Sequence, residues 1–330
     1  MSIPPPAAAP AWRTALDAMD RPAIRAALAV AGTALVAALP LGANGYIVHV
    51  ATLILVYLPL TLGQNLITGN SGMVSMGQAA LSGTAAYLTA ILAVTYHWPT
   101  LPILVVSAAA LAVLGFIIGL PAIRISGDYL FIVTIGVNLV FLDIVVQWVP
   151  VTGGPAGMPG IPVPSLGPVK FPDPVSFYYY ALATAAAAVL VTLLVVRSRF
   201  GTVVEAVRDD PIAAQASGIS VTWTRVAVFM IGSVLAGIGG VAIAYFIGFV
   251  GPDGFGVSQS LLVFEMAILG GLGSIPGSIV GTVLLIGIPE VLRPLQPYQL
   301  GLGGLAVIIL MVRRPSGIMG KVKVTNLIRQ

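Results

Sequence analysis

Apolar residues run along this chain in blocks of nearly membrane-spanning length, separated by short polar or glycine-rich interruptions, from Ala26 to Val312. About 20 apolar residues in an α-helix, rising about 1.5 Å each, cross a hydrocarbon core about 30 Å thick. That window predicts ten spans: Ala26–Gly42, Tyr46–Leu66, Met76–Tyr96, Leu101–Leu120, Tyr129–Val149, Phe177–Val196, Val226–Val250, Gln259–Leu272, Gly277–Leu292 and Tyr298–Val312. The eighth is too short to cross unaided, and several others are broken by Gly or Pro. Backbone groups in lipid must be satisfied within helices or closed barrels, and these runs are too long and continuous for barrel strands. The predicted fold is an all-α polytopic membrane bundle with broken helices.

Charge sets the orientation. If ten spans cross alternately from a cytoplasmic N-terminus, one side receives Arg13, Arg21 and Arg25, then Arg124, then the hydrophilic segment Arg197 to Arg225. The same side receives Arg313, Arg314, Lys321, Lys323 and Arg329, whereas the other receives only Lys170 and Arg293. This is the asymmetry that the positive-inside rule requires, so both termini are expected in the cytoplasm. Tyr46, Trp98, Trp148, Tyr178, Tyr179, Tyr180 and Tyr298 then fall at the outer headgroups. The expected organisation is a cytoplasmic tail over 1–25, a membrane domain over 26–312 with a cytoplasmic segment at 197–225, and a second tail over 313–330. The Arg-then-apolar start suits a signal peptide, but no convincing cleavage site follows, so the first run is read as a retained helix.

Composition agrees. Charged residues are 8% of the chain, where a soluble domain keeps roughly a quarter. The chain has no cysteine, which excludes disulfides and thiolate chemistry, and His49 and His97 stand in no ligand spacing. The net charge of +4 is scattered at the ends of apolar runs, not gathered into a stripe that would bind nucleic acid. Glycines such as Gly232, Gly237, Gly239 and Gly240 suit close helix packing.

Four segments depart from plain membrane helix. The first, Gln64 to Gln78, is polar and glycine-rich, with Asn65, Ser71, Gly72 and Ser75 inside it. Such a stretch is costly beside lipid, so it reads either as a discontinuous helix presenting polar groups to a solute path or as a cytoplasmic turn. The second, Gly251 to Ser258, echoes the first in its Gly, Gly, Ser order and falls at the opposite membrane side. Spans two to five and seven to ten then read as inverted repeats. In the third, Ser198 to Thr224, Asp210 can cap a helix, Pro211 suits its first turn and Gly218 can end it. So short a helix is unstable alone in water and reads as docked on a partner, with Arg208 and Asp209 making polar contacts at the rim, or as a solvated loop helix. The fourth, Gly270 to Ser278, must turn, because neither its glycines nor Pro276 continue a helix.

Four acids lie in or near the spans. Asp128 suits a helix cap, and Glu290 stands one turn before Arg293, as in an ion pair. Asp143 and Glu265 are deeper, and each must face the bundle or a water-filled path. Glu265, on a broken helix, is the candidate preferred for the path. No paired carboxylates, metal cluster or nucleophile with a nearby base suggests an enzyme.

Five stretches together carry a family resemblance: GQNLITGNSGMVSMGQAALSGTAAYLTA from Gly63, GDYLFIVTIG from Gly127, TGGPAGMPGIP from Thr152, SRFGTVVEAVRDDPIAAQASGI from Ser198 and GGLGSIPGSIVGTVLL from Gly270. The chain resembles the LivM-type permease of branched-chain amino acid ABC transporters over nearly its whole length. The resemblance implies transport across the cell (inner) membrane with a homologous second permease, two cytoplasmic ATPase subunits and an extracytoplasmic solute-binding protein. It also implies that Glu205, Ala206, Arg208, Asp209, Ala213, Ala214 and Gly218 belong to a coupling segment moved by the ATPases. Asn65, Ser71, Gly72, Ser75, Gln78 and Glu265 are the candidates for the solute path. Thr202 and Glu205 stand where the family often has arginine, and Pro211 where it often has an acid, so the charge match to the ATPases is this chain's own. No Gly-x-x-x-x-Gly-Lys-Ser/Thr loop occurs here, so no cofactor is expected and ATP belongs to the partners. Related permeases carry urea, amides or aromatic acids. A proton-coupled secondary transporter is the rival from another class.

Overall fold

The computed structural model describes residues 32, 36–120, 128–167, 169–291, 298–314 and 317–320. It divides into two units, 1–48 and 49–330. In the first, the amide of Ile47 donates to the Asn44 side chain (3.0 Å), capping the start of the helix α1, Gly45–Asn65. The other principal helices are α2 (Gln78–Ala90), α3 (Thr100–Gly119), α4 (Asp128–Gln147), α5 (Pro174–Arg197), α6 (Arg199–Asp209), α7 (Pro211–Ala216), α8 (Val221–Ile247), α9 (Val257–Gly270), α10 (Ile275–Thr282), α11 (Ile288–Val291) and α12 (Gln299–Arg313), with single helical turns in the loops at Val149–Thr152, Gly154–Ala156 and Pro252–Phe255. π-helical turns extend α1 over Leu66–Asn70 and α2 over Ile91–Thr95, and another joins α10 to α11 over Val283–Gly287.

Six helical stretches are long and apolar enough to cross a membrane: Gly45–Asn70, Gln78–Thr95, Thr100–Gly119, Tyr129–Gln147, Pro174–Arg197 and Val221–Ile247. They coincide with the second to seventh predicted spans. The last three predicted spans appear as the shorter helices α9, α10–α11 and α12. The first is helical where it is described, at 32 and 36–42, and its remainder lies outside the described residues, as do Arg13, Arg21, Arg25, Arg124, Arg293, Lys321, Lys323, Arg329 and therefore the Glu290–Arg293 pair. The helical expectation misses four two-residue strands, which pair antiparallel as Met158–Pro159 with Phe249–Val250 and as Ser165–Leu166 with Val169–Lys170.

The core of the second unit is built on α8, which packs on α1 and α2 and, along its other side, on the inner face of α3. The most apolar windows of α8, α1 and α2 are 72%, 56% and 67% buried, against 28%, 22% and 33% for α3, α4 and α5, so the first three form the interior and the others its periphery. Glycine makes that contact possible. A methyl on Gly239 would strike Leu60 of α1, and one on Gly240 would strike the Ser82 carbonyl of α2. Backbones this close gain dispersion contacts that lipid cannot supply.

Loops between the helices gather into two clusters. In one, the Arg208 side chain reaches the Gly69 carbonyl, Asn65 reaches the turn at Gly271 and Ser274, and Met319 donates to Gly270. In the other, Met158–Pro159 pairs with Phe249–Val250, and Ser165 donates to the Thr100 hydroxyl (2.8 Å). Among the described residues, the helix ends of the first cluster carry Arg197, Arg199, Arg208, Arg225, Arg313 and Arg314, while the second carries Lys170.

The α1–α8 contact leaves no room for a side chain at Gly239. Gly239→Leu should therefore destabilise the protein by about 1–3 kcal/mol through overpacking. Gly136→Ala, which enters open space, should leave the thermal midpoint in detergent level or raise it. Equal midpoints for the two variants would dismiss the interlock.

Candidate functional site

Three of the four unusual segments meet in the first loop cluster. Past Asn65, α1 continues as a π-helical turn, and its end is tied by the Ser71 hydroxyl donating to the Ile67 carbonyl (2.6 Å). Gly72 adopts φ +73°, a region that favours glycine, and the chain then runs without regular structure to Gly77 before α2 begins.

Side chains hold this irregular stretch in place of a ladder. Gln64 donates to the Ser75 carbonyl (2.9 Å) and to the Thr68 hydroxyl (2.7 Å). The Met76 amide donates to the Thr134 hydroxyl of α4 (2.9 Å), and the Ala79 amide to the Ser260 hydroxyl of α9 (2.9 Å). Gln64, Ser75 and Thr134 are fully buried, so these bonds replace hydration, whereas the equally buried Gln78 side-chain amide has no partner at either end among the described residues.

Asn65 does something different. Its Nδ2 donates to the Ser278 hydroxyl (2.6 Å) and the Ser274 carbonyl (3.0 Å), with a longer contact to the Gly271 carbonyl (3.4 Å). Its Oδ1 accepts the Gly273 amide (2.8 Å). Both ends of the amide are thus spent on the α9–α10 turn, where Gly271 and Gly273 have φ of +125° and +75°. The Ser274 hydroxyl caps α10 by accepting the Gly277 amide (3.2 Å). The expectation of a turn here holds, and Asn65 is what fixes it.

The hydrophilic segment approaches from the other side. Ser198 accepts the Gly201 amide (3.2 Å) and starts α6, whose Gly201, Val204 and Val207 are buried. Asp210 accepts the amides of Ile212 and Ala213 (2.9 Å each), Pro211 opens α7, and Gly218 takes φ +81°. This capping is the one read from the sequence. Arg208 turns inward: its Nη1 donates to the Gly69 carbonyl (3.2 Å), while Nε and Nη2 engage Asp209 at 2.9 and 2.8 Å. Its aliphatic stem lies over Gly72, where a Cβ would sit 3.0 Å from Arg208 Cγ. Glu205, Ala206, Asp209, Ala213 and Gly218 are exposed, whereas Ala214 is buried. Ile212, 80% exposed, projects from α7. Sequence reading passed it over, although it is the one large apolar side chain in that short helix.

The two deep acids take unlike positions. Asp143 is exposed on α4 and accepts a hydrogen bond from Gln147 one turn on (2.6 Å). Glu265 is 6% exposed and packs against Gly303 of α12, where a methyl would strike its carboxyl group. The solute-path candidates are therefore not one cluster: Asn65 serves the turn, Ser71 bonds within its own helix, Ser75 and Gln78 lie in the α1–α2 interior, and Glu265 faces α12. Asp128 begins α4, but the residue before it lies outside the described residues. Among the described residues, no three His, Asp or Glu side chains group as metal ligands.

The family model described as branched-chain amino acid transport system / permease component matches residues 46–312. The chain belongs to that family. The permease is 33% identical over 300 residues to the high-affinity branched-chain amino acid transport system permease protein LivM of Salmonella typhimurium, covering 82% of this chain and 69% of the relative. It is equally identical to the LivM protein of Escherichia coli over 299 residues, with the same coverage. A shorter match, 30% over 146 residues, joins 43% of this chain to 47% of the LivH permease protein of Escherichia coli. No solved structure matches it significantly. With its family and six spanning helices, it is a multi-pass membrane protein.

The Asn65 clamp is open to test. Asn65→Ala should leave the Gly273 amide and the Ser278 hydroxyl buried without this partner, at about 1–3 kcal/mol. Proteolysis at the α9–α10 turn should rise with it. Ser71→Ala, which loses one bond within its own helix, should cost less. If Asn65→Ala melts like the parent and resists protease equally, the clamp is not what fixes the turn.

Proposed function

We propose that this permease is the membrane-spanning subunit of an ATP-driven importer for branched-chain amino acids in the cell (inner) membrane. The relatives' names support the solute class. The charge distribution supports a cytoplasmic position for the cluster that holds Arg208. A homologous second permease, two ATPase subunits and an extracytoplasmic binding protein complete the assembly, and ATP is bound by the partners.

The observation that carries the mechanism is the Arg208–Gly69 hydrogen bond. α7 presents Ile212 and Ala213 outward, a small surface with one apolar projection suited to a groove in an ATPase. Motion of that surface passes through the Asp210 cap to α6, and from Arg208 to the broken end of α1. Gln64, Thr134 and Ser260 pass it on, because they tie the irregular stretch to α1, α4 and α9. Asn65 carries it to the α9–α10 turn. A push at the partner surface thus reaches both broken segments, and Ser75, Gln78 and Glu265 are the candidate polar groups of the solute path. Ion pairs across the partner surface involve Glu205 and Asp209.

With the partners reconstituted in vesicles, leucine uptake should require ATP on the coupling side. Arg208→Gln should lower uptake at least tenfold while ATP hydrolysis continues. Uptake by this chain alone on a proton gradient would defeat the proposal, and undiminished uptake by Arg208→Gln would remove that side chain from coupling. Calorimetry on the cognate binding protein identifies the solute independently.

A further inference from the structure

An apolar groove of about 620 Å³ lies between α9, the Val283–Val291 stretch and α12. Leu284, Leu285, Ile288, Leu302 and Ile309 are among its walls, Gln299 stands at one end, and Arg313 and Arg314 stand at the other. The groove follows α12, whose fifteen residues extend about 22 Å, more than the roughly 15 Å hydrocarbon depth of one leaflet. Both arginines are exposed, and among the described residues neither pairs with a carboxylate.

An apolar trough ending in two free guanidinium groups fits a ligand with long hydrocarbon chains and an anionic head. We propose that this groove binds an anionic phospholipid, its acyl chains along Leu284, Ile288 and Ile309 and its phosphate on Arg313 and Arg314. Guanidinium forks match phosphate oxygens in pairs, which makes arginine suited to the task. An apolar transmembrane helix would fill the wall equally well but would leave both cations without a counter-charge, whereas an anionic phospholipid supplies chains and charge together.

The headgroup position has a structural neighbour. Just beyond α12, Ile318 donates to the Leu269 carbonyl (3.2 Å) and Met319 to the Gly270 carbonyl (2.9 Å). These bonds attach the segment to the last turn of α9, next to the turn that Asn65 clamps. A lipid on the two arginines therefore secures the end of α12 against the same turn that the coupling segment reaches.

The test uses the full chain, alone and with its partners, in nanodiscs of phosphatidylcholine with or without one quarter phosphatidylglycerol. Native mass spectrometry after gentle release should show phosphatidylglycerol retained in preference to phosphatidylcholine. The apparent affinity should fall about five-fold for each arginine neutralised, in Arg313→Gln and Arg314→Gln. The double Lys variant should recover most of it. Equal retention of the two lipids by the parent, or unchanged phosphatidylglycerol retention by the double Gln variant, overturns the proposal. So does a photo-crosslinker at Leu302 that captures only the second permease subunit. Because lipid retention is read without transport, failure here leaves the importer assignment untouched.

Discussion

A backbone that leaves helical geometry inside a membrane must find every hydrogen bond from its neighbours, since lipid offers none. This constraint governs the permease. Where α1 stops being helical, four side chains from four different helices, Gln64, Thr134, Ser260 and Arg208, engage the stretch between Gly69 and Ala79. Asn65 does the same for the α9–α10 turn. Each bond satisfies an otherwise costly group and also joins two helices that contact of apolar side chains alone would let slide.

On the coupling proposed above, satisfying the backbone and transmitting motion are the same arrangement seen twice. An unbroken α1 would keep its hydrogen bonds to itself and could be displaced only by packing. The broken one exposes carbonyls such as that of Gly69, and a side chain from a soluble-looking helix can hold one. In the proposed importer this hydrogen bond is the point where a lever from the partner surface takes hold of the broken helix.

Much of the fold is written in run length and turn chemistry. The second to seventh spans, the Asp210–Pro211–Gly218 capping and the turn at Gly271–Ser274 are local features, dictated by residues adjacent in the chain. What could not be read is tertiary. Thr134 lies 58 residues from Met76, and Ser260 lies 181 from Ala79, so nothing local ties either hydroxyl to the amide it accepts. Helices apolar on every side also hide which face turns inward: Leu139 and Ile132 of α4 are exposed while Asn138 is buried. The two deep acids show the same limit. Glu265 follows a broken segment and lies buried against α12, whereas Asp143, in a continuous helix, faces outward.

The glycine seam between α8 and its neighbours has a further meaning. Where the main chain of one helix rests on the main chain of another, as Gly240 does on Ser82, there are no rotamers to exchange and no intermediate registers to occupy. Such a joint is a stator. Because α3 also rests on α8, where Gly115 lies against Met230 and Ser233, any cycle of opening falls to the outer helices α4 and α5 moving about that fixed spine.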